Sequence, residues 1–328
     1  MSGATIAGIG AAVPPGTLSS SDLEESLDLP RGWIAARTGI ESRHVAGPSD
    51  TAVTLGGAAA RRALEAADVS ATDVDYVVTA TVTPDFRLPA TASLLQSALG
   101  CDAAAYDLNA GCSGFLCGLA QADALVRAGA AATVLVVGVD LMSRIADFSD
   151  PKSGILFGDG AGAAVVTRAE APRLGPFVLR SDGSRPDLLM ASRDCGKVVM
   201  AGREVYRRAV QEMAASVREV TSAAGVALHD VDLVVAHQAN GRILEAVAER
   251  LEVAPHKVFT NIARYGNTSS ASIPIALAEA SAEGILRTGD RVVLTAFGSG
   301  FVWGAGVVEW QAAASVAPDL AGARPAVA

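Results

Sequence analysis

Cysteine, aromatic residues and positive charge are all scarce in this sequence, and each shortage excludes something. Four cysteines in 328 residues are too few for a disulfide framework. Cys112 and Cys117 stand five apart while Cys101 and Cys195 stand alone, so no metal-ligand spacing appears. That usage points to a reduced, cytoplasmic protein. Aromatics make up 5%, so the core must be built from small side chains packed in close layers. Lys and Arg number 26 against 35 Asp and Glu, a formal net charge of -9. This argues against broad nucleic-acid binding, which needs basic patches, and more weakly against docking on an anionic membrane. No apolar run reaches the ~18 residues of a membrane helix without a charge or a glycine. The stretch Met1 to Gly10 lacks the basic region and cleavage site of a signal peptide and reads as a first strand.

Hydrophobic residues are plentiful at 50%, enough to exclude disorder of the whole chain. The length allows about two domains of ~150 residues. A weak internal repeat bears on that choice. SATDVDYVVTAT (Ser70 to Thr81) is echoed by ALHDVDLVVAHQ (Ala227 to Gln238), with an offset of 157 residues between Val74 and Val231. LVRAGAAATVLVVG (Leu125 to Gly138) is echoed by ILRTGDRVVLTAFG (Ile285 to Gly298), and GAGAAVV (Gly160 to Val166) by GAGVVEW (Gly304 to Trp310). The echoes keep their order, which indicates duplication. Short β-branched runs such as VLVVG read as strands buried on both faces. They alternate with helical stretches, among them Ala52 to Ala67, Ser113 to Arg127, Arg203 to Ala224 and Ser270 to Glu283. The pattern predicts an α/β fold with mostly parallel sheets, in two halves about a pseudo-twofold axis. Arg168 to Met200, with three prolines, reads as the junction, giving halves 1–170 and 171–328. From about Ala312 the chain reads as a loose tail.

Four segments carry candidate chemistry. In Asn109-Ala110-Gly111-Cys112-Ser113-Gly114, a strand passes through a tight turn into a helix start. Backbone N–H groups there stabilise a thiolate and can form an oxyanion hole, and Gly111 and Gly114 would let a substrate approach the backbone. On this segment alone Cys112 reads equally as a nucleophile or as a small buried hydrophobe. Of the histidines, His237 follows the strand LVVA at the end where open α/β sheets place their ligands. A hydrogen-bonded structural histidine is the competing reading. His44, His229 and His256 lie in polar, loop-like stretches and read as solvated. The run Gly266-Asn267-Thr268-Ser269-Ser270-Ala271-Ser272 could present the Asn267 amide or simply cap a helix, and spacing does not decide. Phe297-Gly298-Ser299-Gly300-Phe301 is a strand ending in a glycine-rich turn.

Together these segments resemble β-ketoacyl-acyl carrier protein synthase III, a condensing enzyme of the thiolase superfamily. The likeness includes Trp33-Ile34, Arg37-Thr38-Gly39-Ile40, Cys112-Ser113-Gly114-Phe115, Leu156 to Ala163, His237-Gln238-Ala239-Asn240 with Arg242-Ile243, Gly266 to Ser272, and the Phe297 to Gly304 turn. The matches occur in family order over about residues 5 to 310. The resemblance implies a duplicated thiolase-like fold in five layers, α/β/α/β/α, and a homodimer. It implies a catalytic triad of Cys112, His237 and Asn267. Cys112 would take an acyl group from CoA. Malonyl-acyl carrier protein would then lose CO2, and its enolate would attack the acyl-enzyme to give a 3-ketoacyl product, in fatty-acid initiation or polyketide priming. His237 and Asn267 would hold the enolate oxygen, and the N–H groups of Cys112 and Ser299 would form a second oxyanion hole. CoA is a substrate here, and neither a metal nor a redox cofactor is implied.

Carried over residue by residue, the likeness has Trp33 stack on the adenine, Arg37 meet phosphate and Arg242 sit near the pantetheine entrance and the carrier-protein docking face. Arg203, Arg207 and Arg208 are further candidates for the basic patch that an acidic carrier needs. Phe297 would lie beside the nucleophile. Three positions depart from the family pattern. Lys152 stands near where an Arg usually grips the nucleotide, Ser299 replaces the middle glycine of a common Gly-Gly-Gly turn, and Leu88 falls where a residue of the partner subunit commonly closes the acyl pocket. A leucine there leaves more room than an aromatic. An acyltransferase of the same fold that omits condensation is the alternative activity, disfavoured by Asn267, which simple transfer does not need. A degenerate, non-enzymatic subunit is disfavoured by retention of the whole triad.

Overall fold

A computed structural model of the chain describes residues 3–191, 196–311, 315–316 and 324–325. The first half runs β1 (Gly3–Ala12), β2 (Gly16–Ser19), α1 (Ser20–Ser26), α2 (Trp33–Thr38), β3 (Ser42–His44), α3 (Ala52–Ala67), β4 (Tyr76–Ala80), α4 (Thr91–Leu99), β5 (Ala104–Leu108), α5 (Gly114–Arg127), β6 (Thr133–Leu141) and β7 (Asp159–Ala169). It continues through β8 (Leu174–Ser181), β9 (Leu189–Ala191), β10 (Val198–Met200), α6 (Gly202–Ala224), β11 (Leu233–Ala236), α7 (Gly241–Leu251), α8 (Ile262–Tyr265), α9 (Ser272–Ala282), β12 (Arg291–Gly298) and β13 (Val302–Glu309). The dipeptides β14 (Ser315–Val316) and β15 (Arg324–Pro325) follow.

Two sheets repeat one topology. In the first the order is β14-β1-β7-β6-β4-β5, with β4 parallel to β5 and β6, and β7 antiparallel to both β6 and β1. In the second it is β11-β12-β13-β8, with β11 parallel to β12, and β13 antiparallel to both β12 and β8. Val258 bridges Val234 in parallel, in the place beside β11 that β5 holds beside β4. All three sequence echoes fall on matching strands: β4 with β11, β6 with β12, and β7 with β13. The repeated Asp-Val-Asp has a local reason. Asp75 accepts hydrogen bonds at Oδ2 from the amides of Ala132 and Thr133, 2.6 and 3.0 Å, where β6 starts. Asp232 Oδ2 does the same for Arg291 at the start of β12, 2.8 Å.

Five layers follow from how each strand divides its side chains. Along β6, Val134 and Val136 point into the middle of the molecule, while Leu135, Val137 and Val139 pack outward on α3 and α4. Along β12, Val292 and Leu294 point to the middle and Val293 packs outward on α6 and α7. This two-sided burial explains why the strands read as unbroken apolar runs. Between the sheets lie α5, through Phe115, Leu116 and Leu119, and α9, through Ile273, Ile275 and Leu277. Every residue of α9 from Ser272 to Ala280 is buried, so its sequence shows no polar face. A fourth cluster, including Ile34, Ile40, Met142 and Ile155, packs beneath the loops at the end of the sheets where the cavity described below opens.

Several expectations change. The segment taken as a junction holds β8, whose Pro176 is tolerated because β8 is an edge strand of the second sheet. The tail is not uniformly loose: β14 pairs in parallel with β1 and β15 with β2, while the rest of it lies outside the described residues. His44 is buried rather than solvated, with Nδ1 2.7 Å from the Pro14 carbonyl and its ring stacked on Tyr265. Replacing Asp75 by Ala removes two amide acceptors and should cost about 1–2 kcal/mol in urea unfolding, and Asp232→Ala about half as much. Losses no larger than that of an Asp73→Ala control would remove the strand-capping role.

Candidate active site

The turn between β5 and α5 delivers Cys112. Ser113 is the residue before α5, and its hydroxyl donates to the Val302 carbonyl, 2.8 Å, tying the turn to β13 of the second half. The neighbouring glycines also allow close protein packing, and Gly111 lines the same cavity as Cys112. A Cβ on Gly111 would meet Ser299 Oγ at 2.6 Å, and one on Gly114 would meet Ala80 Cβ at 2.8 Å. Burial pushes the Cys112 thiol up to about 12. The Ser269 hydroxyl, close to the sulfur without completing a well-formed hydrogen bond, offsets part of that rise, and the Asp140 charge adds to it. The expected thiolate is therefore not the resting form, because desolvation outweighs the help of a helix start.

His237 stands one residue beyond β11, its amide donating to the Thr295 carbonyl, 2.8 Å. It is 1% exposed, and burial lowers its pKa to about 3, so the ring is neutral throughout the ordinary pH range. Its Nδ1 lies 2.6 Å from Ser272 Oγ. The first-half stretch Leu156–Gly158 holds Asn267. The Asn267 backbone N–H donates to the Leu156 carbonyl, 2.8 Å, and Gly158 N–H donates to the Asn267 backbone carbonyl, 3.0 Å. Asn267 Oδ1 accepts from the Ser269 amide, 2.9 Å. The side-chain oxygen thus closes a local turn without capping α9, which leaves the NH2 group able to donate to another partner.

Cys112, His237, Asn267, Phe297 and Ser299 line one cavity of about 450 Å³. Its inner wall adds Met142, Ile155, Leu189, Met200 and Met213, and Arg37 and Lys152 also line it. Phe297 packs on Phe301 and Trp303, with ring centroids 4.7 and 6.2 Å away. Other expected residues fall elsewhere. Trp33 is half-buried and off the cavity wall, with the Arg37 guanidinium 4.0 Å over its ring. Arg242 is exposed, also off the wall, and donates to the Ala36 carbonyl, 3.0 Å. Leu88 is 87% exposed and does not reach the cavity of its own chain. Arg207 pairs with Glu204, and Arg208 with Asp182 and Glu212, which leaves them poorer docking residues than the exposed Arg203. Cys101 and Cys117 are buried packing residues, and Cys195 lies outside the described residues.

Sequence reasoning missed the methionines and Asp140. Val205, Ala209 and Met213 recur every fourth residue on α6 and read as an ordinary core stripe, although all three also line the cavity. Asp140 ends an apolar strand, and nothing local marks it. Its carboxylate, fully buried, accepts from Thr81 Oγ1, Val82 N and Thr83 Oγ1 at Oδ1, 3.2, 2.7 and 3.1 Å. At Oδ2 it accepts from Ser270 N and Oγ, 3.1 and 2.7 Å. Desolvation raises its pKa, and these donors pull it back.

Comparison with known proteins gives a consistent picture. Residues 106–183 match the family model described as 3-oxoacyl-[acyl-carrier-protein] synthase III, and residues 221–310 match that of its C-terminal part. The chain is 45% identical to a β-ketoacyl-[acyl-carrier-protein] synthase III of Roseiflexus sp., an alignment covering 94% of this chain and 99% of that protein. A synthase III 2 of Streptomyces coelicolor is 44% identical, covering 96% of each. Among solved structures, 3-oxoacyl-[acyl-carrier-protein] synthase III from Aquifex aeolicus is similar with a TM-score of 0.91 and 42% identity, covering 94% of this chain and all of the other. A priming β-ketosynthase from a polyketide biosynthetic pathway is similar with a TM-score of 0.90 and 35% identity, covering 94% of this chain and 96% of the other.

The resting protonation state is directly testable. With the thiol at about 12, alkylation of Cys112 by iodoacetamide should accelerate about tenfold per pH unit between about pH 6 and pH 9, without a plateau. Mass spectrometry of the modified peptide assigns the site. A plateau below about pH 8 would mean that the turn already holds a thiolate.

Proposed function

The chain belongs to the β-ketoacyl-[acyl-carrier-protein] synthase III family, and from that premise we propose how its own residues run the condensation. The observation that carries the reading is the convergence of Cys112, His237 and Asn267 on one cavity, with Asn267 Oδ1 already engaged so that its NH2 group is free to donate. In the first step Cys112 Sγ loses its proton and attacks the carbonyl of an acyl-CoA. The C–S bond to the enzyme forms, the C–S bond to CoA breaks, and CoA leaves as its thiol. In the second, malonyl-acyl carrier protein loses its carboxylate as CO2. The electron pair moves into the thioester as an enolate, whose oxygen accepts from His237 Nε2 and Asn267 Nδ2. The enolate carbon then attacks the acyl-enzyme carbonyl and expels Cys112 as a thiolate, which takes up a proton from solvent to restore the resting thiol. One such donor is worth about 3 kcal/mol in comparable oxyanion holes. The amides of Cys112 and Ser299 stabilise the tetrahedral intermediates at the sulfur.

Support for the substrates is local. Arg37 and Lys152 on the cavity wall offer positive charge to the phosphates of CoA, and Trp33 beneath Arg37 supplies a flat ring at that edge. Arg242 and Arg203, both exposed, suit an acidic carrier protein. The apolar inner wall suits an acyl chain. No redox group or metal enters the chemistry. β5 ends the strand order of its sheet, and Phe86 and Leu88 before α4 are 57% and 87% exposed. Such an edge asks to be covered, and a homodimer does so while bringing the partner's Leu88 towards the acyl pocket. The halves 1–170 and 171–328 then act as one catalytic unit, and the setting is the cytoplasm, in fatty-acid initiation or polyketide priming.

Intact-mass measurement after exposure to a panel of acyl-CoAs, followed by CO2 release from malonyl-acyl carrier protein, tests this. The expected result is an acyl adduct lost in Cys112→Ala. In Asn267→Ala the adduct still forms but decarboxylative condensation falls about 100-fold. An acyl-enzyme that never releases CO2, with malonyl donors on carrier protein or on CoA, would identify an acyltransferase without condensation instead.

A further inference from the structure

The chemistry proposed above asks neutral His237 to donate from Nε2, which requires its single ring proton to be on that nitrogen and not on Nδ1. A neutral imidazole does not decide this by itself; the partner of the other nitrogen does. That partner is Ser272, the first residue of α9, whose Oγ is 2.6 Å from Nδ1. Ser272 is itself buried. Its oxygen is also within reach of the Gln238 amide, 3.4 Å away. A backbone N–H can only donate, so it occupies a lone pair on Oγ. A hydroxyl owns one hydrogen. Among the described residues its only hydrogen-bond partners are His237 Nδ1 and Gln238 N. If Nδ1 carried the ring proton, Oγ would accept twice and its own hydrogen would be left buried without an acceptor, a cost of about 1–3 kcal/mol.

We propose that Ser272 is a positioning residue that fixes the ring proton of His237 on Nε2 by donating its hydroxyl hydrogen to Nδ1. Asn267 is set in the same sense by the same segment, since the Ser269 amide occupies its oxygen and turns its NH2 group outward. The stretch Asn267 to Ser272 therefore assigns donor roles to both groups that meet the substrate oxygen. The assignment also denies His237 the role of base towards Cys112, because a protonated Nε2 has no lone pair for the thiol proton. The functional consequence rests on the condensation reading; the tautomer itself does not.

Long-range proton–nitrogen correlation of the whole chain labelled with 15N-histidine, with the His237 signals identified by their loss in His237→Gln, reads the tautomer on the free protein. The expected spectrum has an unprotonated Nδ1 and a protonated Nε2. In Ser272→Ala the signals should move towards the Nδ1-protonated form. Acylation of Cys112 by acyl-CoA should stay within about twofold, while decarboxylation of malonyl-acyl carrier protein falls about 10- to 100-fold, less than loss of a whole donor. Ser272→Thr, which keeps the hydroxyl, should restore both the spectrum and most of the rate. A purely structural serine would lower both half-reactions together and leave the tautomer unchanged. A wild-type spectrum with the proton on Nδ1 overturns the proposal even if no Ser272 variant folds, as does an unchanged tautomer in Ser272→Ala. Failure of the wild type to decarboxylate would overturn the condensation reading and leave the tautomer result standing.

Discussion

The active site depends on one buried carboxylate. Asp140 is cut off from water at the end of β6, and none of its hydrogen-bond donors is a cation. Burying a carboxyl group there is costly and raises its pKa, and the five donors that converge on its two oxygens offset part of that cost. Three of them belong to Thr81, Val82 and Thr83, just after β4, and two to Ser270 in the second half. The carboxylate therefore sets the distance between the strand ends of the first half and the loop that carries Asn267. Gly138, two residues before it, lets that loop come close: a Cβ there would meet the Ser270 carbonyl oxygen at 2.5 Å. Steric room and a hydrogen-bonded anchor fix the same contact from two sides.

The burial that makes this anchor possible also sets the chemistry. Burial raises the Cys112 thiol and lowers the His237 imidazole, so both rest uncharged. Neutral groups in a site of low polarity cost little to bury, and the charge appears only when a substrate arrives. An oxyanion forming there meets donors that need no reorganisation, and hydrogen bonds count for more than they would in water. The pairing looks poor for a cysteine that must ionise and good for an enolate that must be stabilised. That balance is what separates this arrangement from a cysteine–histidine ion pair, in which the imidazole takes the thiol proton and the resulting imidazolium stabilises the thiolate.

Much of this was legible in the sequence because the duplicated fold leaves periodic traces. Strands such as Thr133–Leu141 announce themselves by length and branching, and the Asp-Val-Asp echo marks a capped strand start in each half. Cys112, His237 and Asn267 each lie among small residues at strand or helix ends, and it was the family resemblance, not any one segment, that drew them together. Residues whose role comes only from tertiary neighbours were not. Asp140 ends an apolar run, Met142 and Met213 resemble core residues, and His44 resembles a loop histidine until Tyr265 and Pro14 close over it. The misread β8 has a different cause: a proline there is compatible with a strand only because β13 pairs with one side of it and no strand with the other. Edge or centre is a property of the sheet, and no local pattern states it.

Duplication explains why one cavity draws on both halves. Each half places a buried central helix, α5 or α9, between the two sheets, and each helix starts beside the cavity. The copies have since divided the labour. The start of α5 presents a sulfur on a turn pinned to β13 by Ser113, whereas the start of α9 presents hydroxyls and amides, with Ser270 gripping Asp140 and Ser272 meeting His237. Cys112 and Asn267 thus precede symmetry-related helices, whereas His237 follows β11, the counterpart of β4. The constraint that selects the pair is the central layer itself, where side chains of both sheets interlock on α5 and α9 and leave no way to separate the chemistry from the core.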